Sequence, residues 1–113
     1  MMLDFNAAAP TVVPHFKDGE GEAHVRTAVS DDMGRILTLT LPVGSSIGLH
    51  THTGNCEIIH ILSGSGICHD DSVDVPLRAG MTHYCPEGHT HGIDNTGAEP
   101  LVLLGILPDM QGR

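Results

Sequence analysis

Along much of the chain apolar and polar residues alternate with a period of two, and elsewhere they gather into short apolar runs. Ile36, Leu37, Leu39 and Leu41, with Thr38 and Thr40 between them, trace a strand that Pro42 stops. Ile58, Ile59, Ile61 and Leu62 form a run that reads as a buried strand up to Ser63-Gly64, and Leu101 to Leu107 forms another. Strands are also predicted over His24–Ser30, Gly66–His69, Val73–Leu77, Thr82–Cys85 and His89–Asn95. Turn chemistry separates them: Asp31-Asp32-Met33-Gly34, Asp70-Asp71-Ser72 and Gly97-Ala98-Glu99-Pro100. About nine short strands with no helical periodicity predict an all-β sandwich or barrel. Residues 1–22, with Pro10, Pro14 and the charged run Lys17 to Glu22, read as an N-terminal arm; residues 23–108 form the barrel and 109–113 a short tail.

Composition narrows the partners. The chain has 113 residues, enough for one core and marginal for two. Five basic residues against 14 acidic ones give a formal charge of −9, which repels phosphate backbones and anionic lipid, so neither nucleic acid nor membrane is an expected partner. No segment approaches the roughly 18 apolar residues of a membrane helix, and the N-terminus lacks the pattern of a secretion signal, so a cytoplasmic location is expected. Cys56, Cys68 and Cys85 are an odd number without a disulfide framework's spacing and suit reduced thiols.

The chemistry gathers between Gly44 and Gly64. His50 and His52 are two apart, so on a strand they share a face. Thr53-Gly54-Asn55 is turn chemistry, expected to reverse the chain and return Glu57 beside them on a paired strand. A second stretch, Gly80 to Asn95, carries His91 on the strand after the turn Pro86-Glu87-Gly88. Three imidazoles and one carboxylate suit Fe(II), Mn(II), Ni(II) or Zn(II), one ion per chain, with positions left for water or substrate. Converging without a cation they would leave buried polar nitrogens and a charge lacking partners. His89 is a candidate to move a proton at the site mouth, together with Glu57, or else a solvated loop histidine. His60 has the opposite parity to Glu57 and should face away. His83 and Cys85 have the parity to point inward, and Cys56 adjoins Glu57; small buried cysteines are usually packing residues.

These two stretches resemble the two sequence motifs of the cupin superfamily. The first, Gly, five residues, His-x-His, four residues, Glu, six residues, Gly, is met by Gly44, His50, His52, Glu57 and Gly64. The second, Gly, five residues, Pro-x-Gly, two residues, His, three residues, Asn, is met by Gly80, Pro86, Gly88, His91 and Asn95. Many cupins carry Asp directly after the Gly that opens the second motif; this chain has Met81. The resemblance, to small metal-binding cupins, implies a double-stranded β-helix, or jelly roll, with Leu101-Val102-Leu103-Leu104 on a buried strand. It also implies a homodimer, with the arm either a partly ordered tail or an edge strand that two subunits exchange. For function it implies a metal-dependent enzyme on a small oxygen-bearing chelating substrate, dioxygenase-like first, with isomerase, decarboxylase and lyase chemistry on the same ligand set. A non-catalytic binding or sensing module is the alternative from another class.

Overall fold

A computed structural model describes residues 1–111; of the expected tail, residues 112 and 113 lie outside the described residues. Ten antiparallel strands form two sheets. The strands are β1 (Thr11–Pro14), β2 (Glu22–Asp31), β3 (Gly34–Leu41), β4 (Ser46–Thr51), β5 (Glu57–Ser63), β6 (Ser65–Asp70), β7 (Val73–Arg78), β8 (Thr82–Cys85), β9 (Thr90–Asp94) and β10 (Leu101–Pro108). The larger sheet runs β1-β2-β3-β10-β5-β8 and the smaller β4-β9-β6-β7. Two short 3-10 turns, Phe5–Ala7 and Phe16–Asp18, decorate the N-terminal segment.

The alternation seen in the sequence places the core. On β3, Leu37, Leu39 and Leu41 point inward, and β10 alternates buried and half-buried residues over its whole length, with Leu101, Leu103 and Leu107 inside. Ile59 and Ile61 of β5 complete that face, and Ile47, Ile93, Cys68 and Leu77 of the smaller sheet close over it. Each such side chain taken from water stabilises the sandwich by about 1.5–3 kcal/mol. The strand expected to be buried is thus buried on one face, at the centre of the larger sheet.

The arm carries an edge strand: Thr11–Pro14 pairs antiparallel with Glu22–Val25 of the same chain at the edge of the larger sheet. The edge position explains why prolines can flank it, since their missing N–H costs no ladder bond there. One expectation needs correction: β4 and β5 are not paired. The segment 53–56 carries the chain from the smaller sheet to the larger, where Asn55 bridges Asp109 and the Cys56 N–H donates to the Pro108 carbonyl. Turn residues serve a sheet crossing as well as a hairpin; nothing local tells the two apart.

Candidate metal centre

The partner of β4 is β9, and there His50 stands directly opposite His91. That pairing depends on an irregularity. Ile47 pairs with Ile93 and His50 with His91, so the register slips between them, and Gly48 lies in the slip. Ile47 is buried and Leu49 exposed; strict alternation from Ile47 would turn His50 outward, and the extra residue turns it back in. His52 follows beyond the end of β4, still held by its own N–H to the His89 carbonyl (3.0 Å) and by the Gly88 N–H to its carbonyl (2.7 Å). Glu57 arrives from the facing sheet as the first residue of β5.

The four side chains converge on one point. His52 Nε2 lies 2.9 Å from His91 Nε2, which lies 3.2 Å from His50 Nε2, and Glu57 Oε1 is 3.1 Å from both His52 Nε2 and His91 Nε2. Ions held at about 2.1 Å have adjacent octahedral ligands about 3.0 Å apart, so these edges match the set a divalent cation would draw together. His91 and His52 are buried, at 2% and 5% exposure.

What lies behind each imidazole sets its tautomer. His50 Nδ1 is 2.8 Å from the Gly48 carbonyl and His52 Nδ1 2.8 Å from Asn55 Oδ1. Both oxygens only accept, which assigns the proton to Nδ1 and leaves the Nε2 lone pair facing the centre. His91 Nδ1 contacts His83 Nε2 at 3.0 Å, the two rings stacked at 28°. With its Nε2 given to a cation, His91 would donate from Nδ1 and His83 would accept. Fixing the far nitrogen in this way orients a ligand and raises its basicity.

Charge follows the same arrangement. Burial raises the Glu57 pKa, but its close contacts with the His52 and His91 rings outweigh it and hold the carboxyl at about 2. The bond to Glu57 raises His52 above the ordinary imidazole value against the effect of burial. Burial lowers the pKa of His50 and of His83, favouring their neutral forms. Glu57 Oε2 packs over Gly105 of β10, where a Cβ would stand 3.3 Å from it and 3.2 Å from Leu37 Cδ1.

Other predicted residues lie elsewhere. His89 is half exposed, its Nδ1 bonded to Asp71 Oδ2 at 2.8 Å, and is not brought to the cluster. His60 faces away as its parity required and bonds Thr82 Oγ1 at 2.8 Å. His83 and Cys85 point inward and, with His91, form a second overlapping group of ligand-type atoms. Burial pushes the Cys85 thiol up to about 11 and the Cys68 thiol up to about 12, so both stay protonated at neutral pH. Cys56 is buried and unpaired.

Beside the cluster a cavity of about 410 Å³ runs between the sheets, bounded by His50, His52 and Glu57 at one side and by apolar β2, β3 and β10 side chains. Lys17 and Arg35 also line it. Sequence reasoning passed over both, and over the supporting roles of Asn55 and His83. Arg35 was findable, because it shares the inward parity of Leu37, Leu39 and Leu41. Lys17 was not, because the turn that carries it has no period to read.

Two facing antiparallel sheets with three histidines from one and a glutamate from the other define a double-stranded β-helix with a candidate mononuclear metal site. The chain belongs to the cupin family: residues 37–107 match the cupin domain. It is 35% identical over 112 residues to the oxalate-binding protein of Thermotoga maritima, covering 95% of this chain and 93% of that one. The crystal structure of a predicted oxalate decarboxylase from Thermotoga maritima superposes with a TM-score of 0.92 at 32% identity, covering 96% of this chain and 99% of that one. An RmlC-like cupin from Shewanella frigidimarina shares the fold at 13% identity, with a TM-score of 0.80 over 96% of this chain and 91% of that one. Among the described residues, no helix is long and apolar enough to cross a membrane.

Proposed function

We propose that His50, His52, Glu57 and His91 hold one divalent transition metal, and that the centre captures a small carboxylic acid able to chelate through two adjacent oxygens, as oxalate does. The observation that carries this is the tautomer pattern: acceptors behind His50 and His52 leave both Nε2 lone pairs aimed at one point beside an ionised carboxylate. When bound, the ion supplies Lewis acidity and open coordination positions for the two oxygens. The chain's own residues do the rest. Gly48, Asn55 and His83 keep the imidazoles in place, Glu57 balances charge, and the apolar cavity wall excludes water from the chelated face.

Of the chemistries left open by the sequence, the likeness to an oxalate-binding protein favours capture of a dicarboxylate over oxygen chemistry and over decarboxylation. Exchanging a carboxylate for hydrogen requires a proton donor at the carbon. Glu57, the only carboxylic acid lining the cavity among the described residues, is held ionised at a pKa of about 2, so that proton would have to come from Lys17, His52 or water. A metal-dependent decarboxylase is the second reading, carried by the likeness to the predicted oxalate decarboxylase. A homodimer and a reducing, cytoplasmic setting belong to the same proposal, supported by open sheet edges and by three unpaired cysteines.

The test is elemental analysis of protein purified without chelator, then calorimetric titration of oxalate and an assay for formate. About one transition metal per chain is expected, with oxalate binding to the loaded protein alone and no formate. Failure to take up any of manganese, iron, nickel or zinc would sink the proposal, and formate production would replace capture by turnover.

A further inference from the structure

We propose that Arg35, with Lys17 beside it, receives the far anionic end of a ligand whose other end is chelated at the metal cluster, so that the preferred ligand is a longer diacid rather than oxalate. The inference rests on the metal-chelate reading of the site and adds the class of ligand.

Its basis is a row of residues across the larger sheet. Ile58 pairs with Ile106 and Asn55 bridges Asp109, so the same register sets Glu57 opposite Leu107, and Leu107 pairs with Arg35. Glu57, Leu107 and Arg35 all line the cavity. The ends of this row are two strand spacings apart, about 10 Å between Cα atoms, with an aliphatic side chain between a carboxylate and a guanidinium. A molecule lying along it meets the metal cluster at one end, Leu107 in the middle and a cation at the other.

Charge singles out the cationic end. Two of the five basic residues of this acidic chain, Lys17 and Arg35, line this one cavity. Arg26, by contrast, donates to the Ala8 carbonyl at 2.6 Å. Arg35 has no hydrogen-bond or ion-pair partner for its guanidinium among the described residues, and the Lys17 ammonium has only the Phe16 ring, 5.7 Å from its centroid. Arg35 and Lys17 are both exposed, so their charged ends stand in solvent at the cavity edge, free to take an anion.

The position of Lys17 is built in. His15, Lys17 and Asp18 all have positive φ (50°, 55° and 62°), which non-glycine residues adopt only when their surroundings impose it. Here the surroundings are glycines: a Cβ on Gly48 would collide with the Lys17 carbonyl oxygen, and one on Gly19 with the Ser46 carbonyl oxygen. The strained turn is pressed against β4, the strand that carries His50.

Size agrees. Oxalate has six non-hydrogen atoms, a bulk on the order of 100 Å³ at about 30 Å³ per water displaced, and would leave most of the 410 Å³ cavity to solvent. A 2-oxo acid presents the same pair of adjacent oxygens, and methylenes leading to a second carboxylate would lie against Leu107, Leu103 and Leu39.

The test uses the full chain loaded with manganese(II), titrated calorimetrically with oxalate, 2-oxovalerate and 2-oxoglutarate. The wild type is expected to bind 2-oxoglutarate about tenfold more tightly than either of the others. Arg35→Gln should abolish most of that preference while leaving oxalate affinity, metal content and melting temperature unchanged; Lys17→Gln should reduce it by a smaller factor. Equal affinities for 2-oxovalerate and 2-oxoglutarate in the wild type, or equal weakening of oxalate and 2-oxoglutarate by Arg35→Gln, would overturn the inference. If none of the three binds, the metal-chelate reading itself fails, and this assignment with it.

Discussion

Gly48 and Lys17 meet backbone to backbone with no room for a Cβ between them, while the Gly48 carbonyl also accepts the hydrogen bond that orients His50. One residue thus sets both the position of the strained turn and the tautomer of a site histidine. Gly48→Ala is therefore expected to cost about 1–3 kcal/mol through overpacking and to weaken metal uptake along with stability. The check is a denaturant melt beside a metal titration; an alanine variant with wild-type values in both would show that the turn yields freely.

His83 touches the cluster only through His91. His83→Ala leaves the His91 Nδ1 without its acceptor, and metal affinity is expected to fall about 10–100-fold with the four ligating side chains intact. His83→Asp, which restores an acceptor, should recover most of the loss. A loss that Asp fails to rescue would make His83 a packing residue.

Metal uptake should release a proton. His52 is raised above its ordinary value by the bond to Glu57, whereas His50 is lowered by burial and Glu57 stays ionised down to about 2, so among these three groups His52 is the proton source. Apparent affinity should then increase with pH up to the His52 pKa and level off above it. Calorimetry in buffers of different ionisation enthalpy reads the number directly, and about one proton per metal is expected below that pKa. No proton release at pH 6 would contradict the arrangement.

His69 lies between Asp94 (2.8 Å) and Asp74 (2.6 Å), and those bonds raise its pKa. The sign is that of a raised cation: its stabilising contribution is fully present below the unfolded value of about 6.5 and is lost as pH climbs through the higher folded value. NMR titration of wild type and Asp94→Asn should show the variant titrating lower, with a flatter stability profile across that window. An unchanged His69 titration would remove Asp94 as the cause.

Much of this molecule is legible in the chain because a β-sandwich writes its two faces into alternate residues. The Thr and Leu of β3 and the glycine-bounded run of β5 give away their strands, and the spacing of His50, His52, Glu57 and His91 marks out the cluster. What lies beyond alternation is harder to see. The register slip at Gly48 breaks the parity that would have turned His50 outward. The crossing at residues 53–56 looks like a hairpin because both use the same turn residues. The bounds of β1 are blurred by Pro10 beside it and Pro14 at its end. Asn55 and His83 support their neighbours through single atoms, contacts that no periodicity encodes.

His50 and His91 belong to the smaller sheet, His52 to the segment just past its β4 strand and the carboxylate to the larger sheet, so an ion seated among them would rivet the two layers together at the cavity end. Filling or emptying the centre would then tune how far that seam gapes, and amides of β4 and β5 should exchange with deuterium faster once a chelator strips the protein. Occupancy would thereby be felt as stiffness, and a captured acid would be let go most easily when the rivet is drawn.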